Sequence, residues 1–312
     1  MWGPCAIVDS GALRHNLAVV RKHAPRAKVM AIIKANAYGH GIVPTARALI
    51  GADAFGVARL TEALALREHG LGQRIVLLEG VFSSEELDAA AAHGLELVVH
   101  SFEQLALLKQ WRGSRTLHVW LKIDTGMNRL GFRLEDFPPA LQQLRECASV
   151  AASPRLMTHL ASADERDSNF TNAQVTRFRS LAESLGLERS AANSAGLLAW
   201  SQSHMEWVRP GLMLYGVSPF PNSDGAAFDL RPAMTLSTRL IAVRHVRVGE
   251  RVGYGGTWTA AVDCRVGIAA IGYGDGYPRQ IGSGSPVLVR GAQCSIAGRV
   301  SMDMIAIDVS GL

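Results

Sequence analysis

Between residues 28 and 211 the chain repeats one rhythm: a short apolar run, a polar or glycine-bearing turn, then a longer amphipathic stretch. That is the pattern of β and α units in alternation. The runs are AKVMAII, AFGVA, RIVLLEG, LELVVHS, LHVWLKID, RLMTHL, RSAANS and MEWVRPG, of which the seventh is weak by pattern alone. Segments between them, such as TEALALREHG and SSEELDAAAAHG, open with Thr or Ser and close at Gly, as capped helices do. A doubly wound sheet also fits the alternation, but eight units favour an α/β fold closed as a (β/α)8 TIM-type barrel.

The rhythm changes at GVSPFPNSDGAAFDLRP, residues 216–232, a Pro, Gly and Ser rich stretch that carries no period and is the best linker candidate. From about Thr235 onward, TRLIAVRHVRVGERVGYGG, CRVGIAAIGYG and PVLVRGAQCSIAGRVSMDMIAIDV read as strands punctuated by glycine turns. The expected division is therefore a barrel over 1–225 and a smaller, mainly β domain over 226–312.

Composition narrows the class. The chain has 312 residues, 48% of them apolar and only 19% charged, which supports a large core and suits a barrel with an appended domain. No apolar stretch is long enough to span a bilayer, so no membrane partner is expected. The N-terminus lacks the basic start, apolar core and cleavage site of an export signal, which reads as cytoplasmic. The formal charge is +5, but the arginines are scattered and no basic run of five occurs, so no nucleic-acid partner is expected. Cys5, Cys147, Cys264 and Cys294 are far apart and form no metal-type pair, so no metal is expected either.

Of 32 basic residues only five are lysines, and two of these, Lys34 and Lys122, lie at apolar strand-like runs. Burying an ammonium disfavours its charged form, and such amines commonly form Schiff bases. A snorkelling or ion-paired lysine at a strand end competes evenly with that reading on position alone. Around Lys34, however, Asn36, Tyr38 and His40 add polar tips, and Gly39 and Gly41 let the backbone bend tightly. Polar residues also gather where a barrel enzyme needs them, at the carboxyl ends of the runs. Lys34 ends the first run, Lys122 and Asp124 the fifth with Arg129 just beyond, His159 the sixth, Asn193 and Ser194 the seventh, and Arg209 the eighth.

AIIKANAYGHG (31–41) resembles the cofactor-lysine motif of the alanine racemases, pyridoxal phosphate enzymes built from a barrel and a β domain. LKIDTGMNRLGF, THLASADE, AANSAG, VRPGLMLYG, VGYGGTW, IGYGDGYPR and GRVSMDM are similar to that family's other blocks, in its order and over nearly the whole chain. The resemblance also helps to place the weak seventh run, and it implies that the first strand, near residues 5–10, packs with the β domain.

The resemblance implies interconversion of L- and D-alanine by two-base proton transfer on a pyridoxal phosphate Schiff base, supplying D-alanine for peptidoglycan. Lys34 would hold the cofactor and act on the face of the D substrate, with Tyr254 acting on the L face. Tyr38, Ser194 and the backbone N–H groups of Gly211 and Leu212 would hold the phosphate, with Asn193 orienting them. Arg209 would face the pyridine nitrogen and leave it unprotonated, making a weak electron sink, while His159 would lie near the cofactor. Arg129 and the backbone N–H of Met302, beside Asp303, would bind the substrate carboxylate. Tyr273 would gate the entrance. Lys122 is either carbamylated, fixing Arg129, or paired with Asp124 or another carboxylate. Tyr254, Met302 and Asp303 would reach the site of a neighbouring subunit, implying a head-to-tail homodimer.

The chain ends at IDVSGL, whereas family members continue with more strands, helix and another tyrosine. A β domain short of its last strands is expected to expose an edge. Three other readings compete: a decarboxylase or broader amino-acid racemase on the same architecture, and a non-catalytic pyridoxal phosphate carrier. VGYGGTW argues against the decarboxylase, and the β domain with Tyr254 argues against the carrier.

Overall fold

The computed structural model describes residues 3–312. Two compact units are present: Val8–Ala233, and the chain up to Ile7 together with Met234–Leu312. After β1 (Cys5–Val8), the first unit runs through β2 (Lys28–Ile32), β3 (Ala54–Val57), β4 (Arg74–Leu77), β5 (Glu96–Val99), β6 (Val119–Lys122), β7 (Arg155–Met157), β8 (Arg189–Ser190) and β9 (Trp207–Val208). These last eight close in sequence order into a parallel barrel, sealed where Lys28 and Val29 pair with Trp207 and Val208. Each of the eight apolar runs supplies one strand, the weak seventh included.

Both faces of these strands are buried, which is why they read as continuous apolar runs rather than alternating ones. Met30, Ile32, Ala54, Val76, Val98, Trp120, Met157 and Trp207 fill the barrel interior. The alternate residues, among them Val29, Ala31, Phe55, Ile75 and Leu77, join the core beneath the helices. The helices begin as their sequences suggest. Ser83 caps Ser84–Ala92 by accepting the N–H of Glu86, and Ser101 caps Phe102–Gln110 by accepting that of Gln104.

The amino ends of the strands are closed by charge and indole. Glu188 accepts from Lys28 at 2.5 Å, Arg155 at 2.7 Å and the indole N–H of Trp207 at 3.0 Å. Glu96, almost fully buried, accepts from the indole N–H of Trp120 at 2.8 Å and pairs with Arg74 and Arg155. Arg155 bridges the two carboxylates, so these charges form one network at the end of the barrel away from the strands' carboxyl ends.

The stretch 216–232 is no free linker. Phe220 and Leu230 are buried in the barrel unit. The fully buried Asn16 donates to the carbonyls of Leu214 and Arg231 and accepts the N–H of Arg231. One amide thus pins the segment down, and the boundary between units falls at 233/234 rather than 225/226.

The second unit contains β10 (Met234–Ser237), β11 (Leu240–Val246), β12 (Arg251–Val252), β13 (Trp258–Thr259), β14 (Cys264–Ala269), β15 (Pro286–Val289), β16 (Ala292–Ile296) and β17 (Ile305–Asp308). β1 pairs with β10 and β12 with β13, while an antiparallel sheet has the order β11-β14-β17-β16-β15. Ile271, Ile296, Val300, Ile305 and Ile307 form its core. The last strand, β17, lies in the middle of this sheet, so its edges are β11 and β15, where Ile241, Val243 and Leu288 are exposed. Among the described residues, no helix is long and apolar enough to cross a membrane.

Candidate active site

A cavity of ≈ 460 Å³ opens at the carboxyl ends of the barrel strands. Lys34, Tyr38, Lys122, Arg129, His159, Asn193, Ser194, Arg209, Gly211 and Leu212 line it together with Glu79, Met157 and Asp164. Ten residues singled out from sequence therefore meet in one place, contributed by the end of β6 and the turns after β2, β6, β7, β8 and β9.

Lys34 lies two residues beyond the end of β2, half-buried, rather than inside the strand. The four residues after it, Ala35, Asn36, Ala37 and Tyr38, all have φ between 53° and 56°, forming a left-handed turn in which none is glycine. Each such residue costs roughly 1–2 kcal/mol, so the turn must be held from outside. Asn36 supplies part of the hold: its side-chain oxygen accepts the N–H of Ile42 at 2.9 Å, and its carbonyl accepts that of Gly41 at 3.0 Å. Glu62, from the helix after β3, accepts the N–H of Asn36 at 3.1 Å and those of Ala58 and Arg59 at 2.9 and 3.3 Å. The Tyr38 ring stacks on Tyr215 at 4.7 Å, and the Tyr215 hydroxyl donates to the carbonyl of Ile32.

Arg209 is almost fully buried and is held at every turn. It donates through Nη1 to Ser190 Oγ at 2.6 Å, and through Nη2 to the carbonyls of Thr158 at 2.6 Å and Ala191 at 3.3 Å. Nη2 also lies 3.3 Å from Nδ1 of His159. A guanidinium has no acceptor, so Nδ1 accepts and the imidazole proton sits on Nε2. Burial, then the nearby Arg209, Lys122 and Arg129, holds the His159 pKa well below its ordinary value. Burial also lowers Arg209, to about 10, which leaves it a cation near neutrality. Lys122 is buried at the end of β6, and burial followed by the charges of Arg209, Arg129 and Lys34 pulls it down to about 8, against the opposing pull of Asp124.

On the other side of the cavity, Ser194 Oγ accepts the N–H of Gly211 at 3.0 Å and that of Met213 at 3.3 Å. Leu212 opens a short 3-10 helix, so its N–H precedes the first bond internal to that helix. Asn193 caps the preceding helix through Gly196. A Cβ on Gly211 would stand 2.6 Å from the Tyr38 hydroxyl, so only glycine lets that hydroxyl reach this backbone. Hydroxyl and N–H dipoles thus gather on one wall and Lys34, Arg129 and Arg209 add positive charge. This donor set fits a phosphate-bearing cofactor with an aldehyde for Lys34.

Tyr254, Tyr273, Met302 and Asp303 belong to the second unit. Tyr254 is 72% exposed on a turn of glycines, and Met302 is 60% exposed. Tyr273 donates its N–H to the carbonyl of Ser301, and Gly274 donates to that of Met302 at 2.6 Å. Tyr273 and the SMDM turn are therefore stitched backbone to backbone, and a Cβ on Gly272 would strike Met302 at 2.4 Å. Arg279 sits over the Tyr273 ring at 5.5 Å.

Sequence reasoning missed Glu62, Thr158, Ser190 and Tyr215, which hold the site from behind. Tyr215 and Thr158 fall within VRPGLMLYG and THLASADE and were open to notice. The others carry no local signal, since what they grip lies far away in the chain.

Family models for the alanine racemase N-terminal and C-terminal domains match residues 8–219 and 233–312. The alanine racemase of Aeromonas hydrophila is 51% identical over 309 residues, 99% of this chain and 87% of that protein. The crystal structure of the biosynthetic alanine racemase from Pseudomonas aeruginosa superposes with a TM-score of 0.95 at 44% identity, covering 100% of this chain and 87% of that one. The alanine racemase from Bartonella henselae with covalently bound pyridoxal phosphate gives 0.87 at 26% identity, covering 99% and 87%.

Proposed function

The chain belongs to the alanine racemase family, and on that premise we propose that the barrel cavity carries out its interconversion of L- and D-alanine with pyridoxal phosphate held by Lys34. The single observation that carries this reading is the meeting of Lys34 with the Arg209–His159 pair in one cavity, on turns that follow three different strands. Pyridoxal phosphate, when bound, withdraws electrons from the α carbon of an amino acid.

Tyr38, Ser194 and the N–H of Leu212 would hold the phosphate, joined by the N–H of Gly211 as it gives up Ser194 Oγ, with Asn193 fixing the turn that presents Ser194. Arg209, which keeps its proton, would face the pyridine nitrogen and leave it without one, so that the bound group would withdraw electrons only weakly. His159, neutral and with its proton on Nε2, holds the cofactor ring without adding a second cation there. Arg129 takes the substrate carboxylate with the N–H of Met302, beside Asp303. Lys34 Nζ moves the α proton on one face, and the partner subunit's Tyr254 moves it on the other, within a head-to-tail homodimer. Tyr273 gates the entrance. The neutral amine of Lys122 takes up carbon dioxide as a carbamate, releasing one proton, and the resulting anion fixes Arg129. The D-alanine formed serves peptidoglycan synthesis in the cytoplasm.

The test is α-proton exchange of L- and D-alanine in heavy water with added pyridoxal phosphate, alongside Tyr254→Phe. Exchange of both enantiomers by the wild type, with selective loss of the L-face reaction in the variant, is expected. Cofactor binding without exchange would instead make the protein a carrier.

A further inference from the structure

Three helices around the barrel mouth each send one amide or carboxylate back to tie two neighbouring turns together. Glu62 does so for the turns after β2 and β3. Gln104 joins the turns after β4 and β5, accepting the N–H of His100 at 2.9 Å and donating to the carbonyls of Glu79 at 3.0 Å and Val81 at 3.3 Å. Gln174, fully buried, does the same for the turns after β6 and β7. Its Oε1 accepts the N–H of Ala161 at 2.9 Å, and its Nε2 donates to the carbonyl of His159 at 3.1 Å and to Thr125 Oγ1 at 3.2 Å. Thr125 Oγ1 in turn lies 2.8 Å from Thr158 Oγ1.

We propose that Gln174 is a positioning residue of the reaction: it fixes the backbone on both sides of the His159–Ala161 turn and so sets the ring that accepts from Arg209. Both donors and the acceptor of its amide are used on the two turns that carry site residues, and the same helix adds Arg177, which donates to the carbonyl of Thr125 at 3.1 Å. An apolar residue of like size would fill the same volume but would leave the Ala161 N–H and the His159 carbonyl without this partner, on either side of the turn that carries the site imidazole. The proposal rests on the racemase reading for its kinetic consequence, but not for its structural one.

The experiment compares Gln174→Met with Gln104→Met, a matched loss of a buried three-bond glutamine in another module. In ¹⁵N-histidine protein without cofactor, the His159 ring resonances, assigned by their loss in His159→Gln, are expected to shift in Gln174→Met and to stay in place in Gln104→Met. With cofactor, kcat for both alanine enantiomers is expected to fall about tenfold or more in Gln174→Met while KM changes less than about twofold. Should Gln174→Met fail to fold, Gln174→Glu keeps the acceptor for Ala161 but sets an oxygen against the His159 carbonyl, and the same shift is expected. Unmoved His159 resonances with unchanged kcat would overturn the proposal. A wild type inactive toward alanine counts against the racemase reading alone, since the resonances are read without cofactor or substrate.

Discussion

Arg209 Nη2 donates to Nδ1 of His159 across 3.3 Å, which places a neutral imidazole against a permanent cation. Because burial and then Arg209 hold the His159 pKa well below 6.5, the unfolded chain binds a proton near that pH and the folded chain does not. Stability from this group is therefore complete above about pH 6.5 and falls as the pH drops below it, by roughly 1 kcal/mol over the first unit. His159→Gln should flatten that slope. Urea midpoints of the cofactor-free protein between about pH 7.5 and 5.5 measure it, and equal slopes in variant and wild type would discount the pair.

Glu62 ought to matter more than its half-buried position suggests. Its carboxylate accepts three backbone N–H groups, one of them in the left-handed turn behind Lys34. In Glu62→Gln the amide keeps one acceptor oxygen and turns its NH2 toward N–H groups. We expect a loss of about 1–3 kcal/mol and faster hydrogen exchange at Asn36 and Ala58. Exchange that rises everywhere equally would mean global destabilisation and no specific hold on the turn.

How much of this was legible in the chain follows from the range of each interaction. Barrel strands were readable because burial on both faces makes them continuous apolar runs, and RSAANS was weak because β8 is only two residues long and one of them is Arg189. The site residues were readable because a barrel collects its chemistry at strand ends. The left-handed turn was not, since three of its four residues, Ala35, Ala37 and Tyr38, have no preference for that conformation and the fourth is held by a carboxylate 26 positions away. Likewise, no local pattern in 216–232 announces that Asn16, some two hundred residues earlier, pins it to the barrel.

Lys122 has a pKa of about 8, so about a tenth of it is neutral at pH 7 and able to attack carbon dioxide. ¹³C-bicarbonate should therefore give a carbamate carbon signal in the wild type that is missing from Lys122→Arg. If both proteins show the signal, it belongs to another amine. If neither does, Lys122 remains a buried cation set among Arg209, Arg129 and Lys34, and the balancing carboxylate is Asp124.

At the opposite end of the barrel, Glu188 carries the acid sensitivity. Burial alone would raise its carboxyl, but hydrogen bonds from Lys28, the Trp207 indole and Arg155 outweigh it and bring the pKa down to about 2. A depressed carboxylate stabilises the fold above its unfolded pKa near 4.3, and that contribution is lost as the pH falls through the folded value. Part of the group is open to solvent, so after screening the contribution is about 1 kcal/mol. Glu188→Gln should consequently lower the urea midpoint at pH 7 and narrow its gap to the wild type as the pH falls toward 2. The change should not reach the cavity at the other end of the strands: His159 resonances are expected to stay where they are. A gap that stays constant from neutral to acid pH would show that Glu188 stabilises by packing against Trp207 rather than by charge.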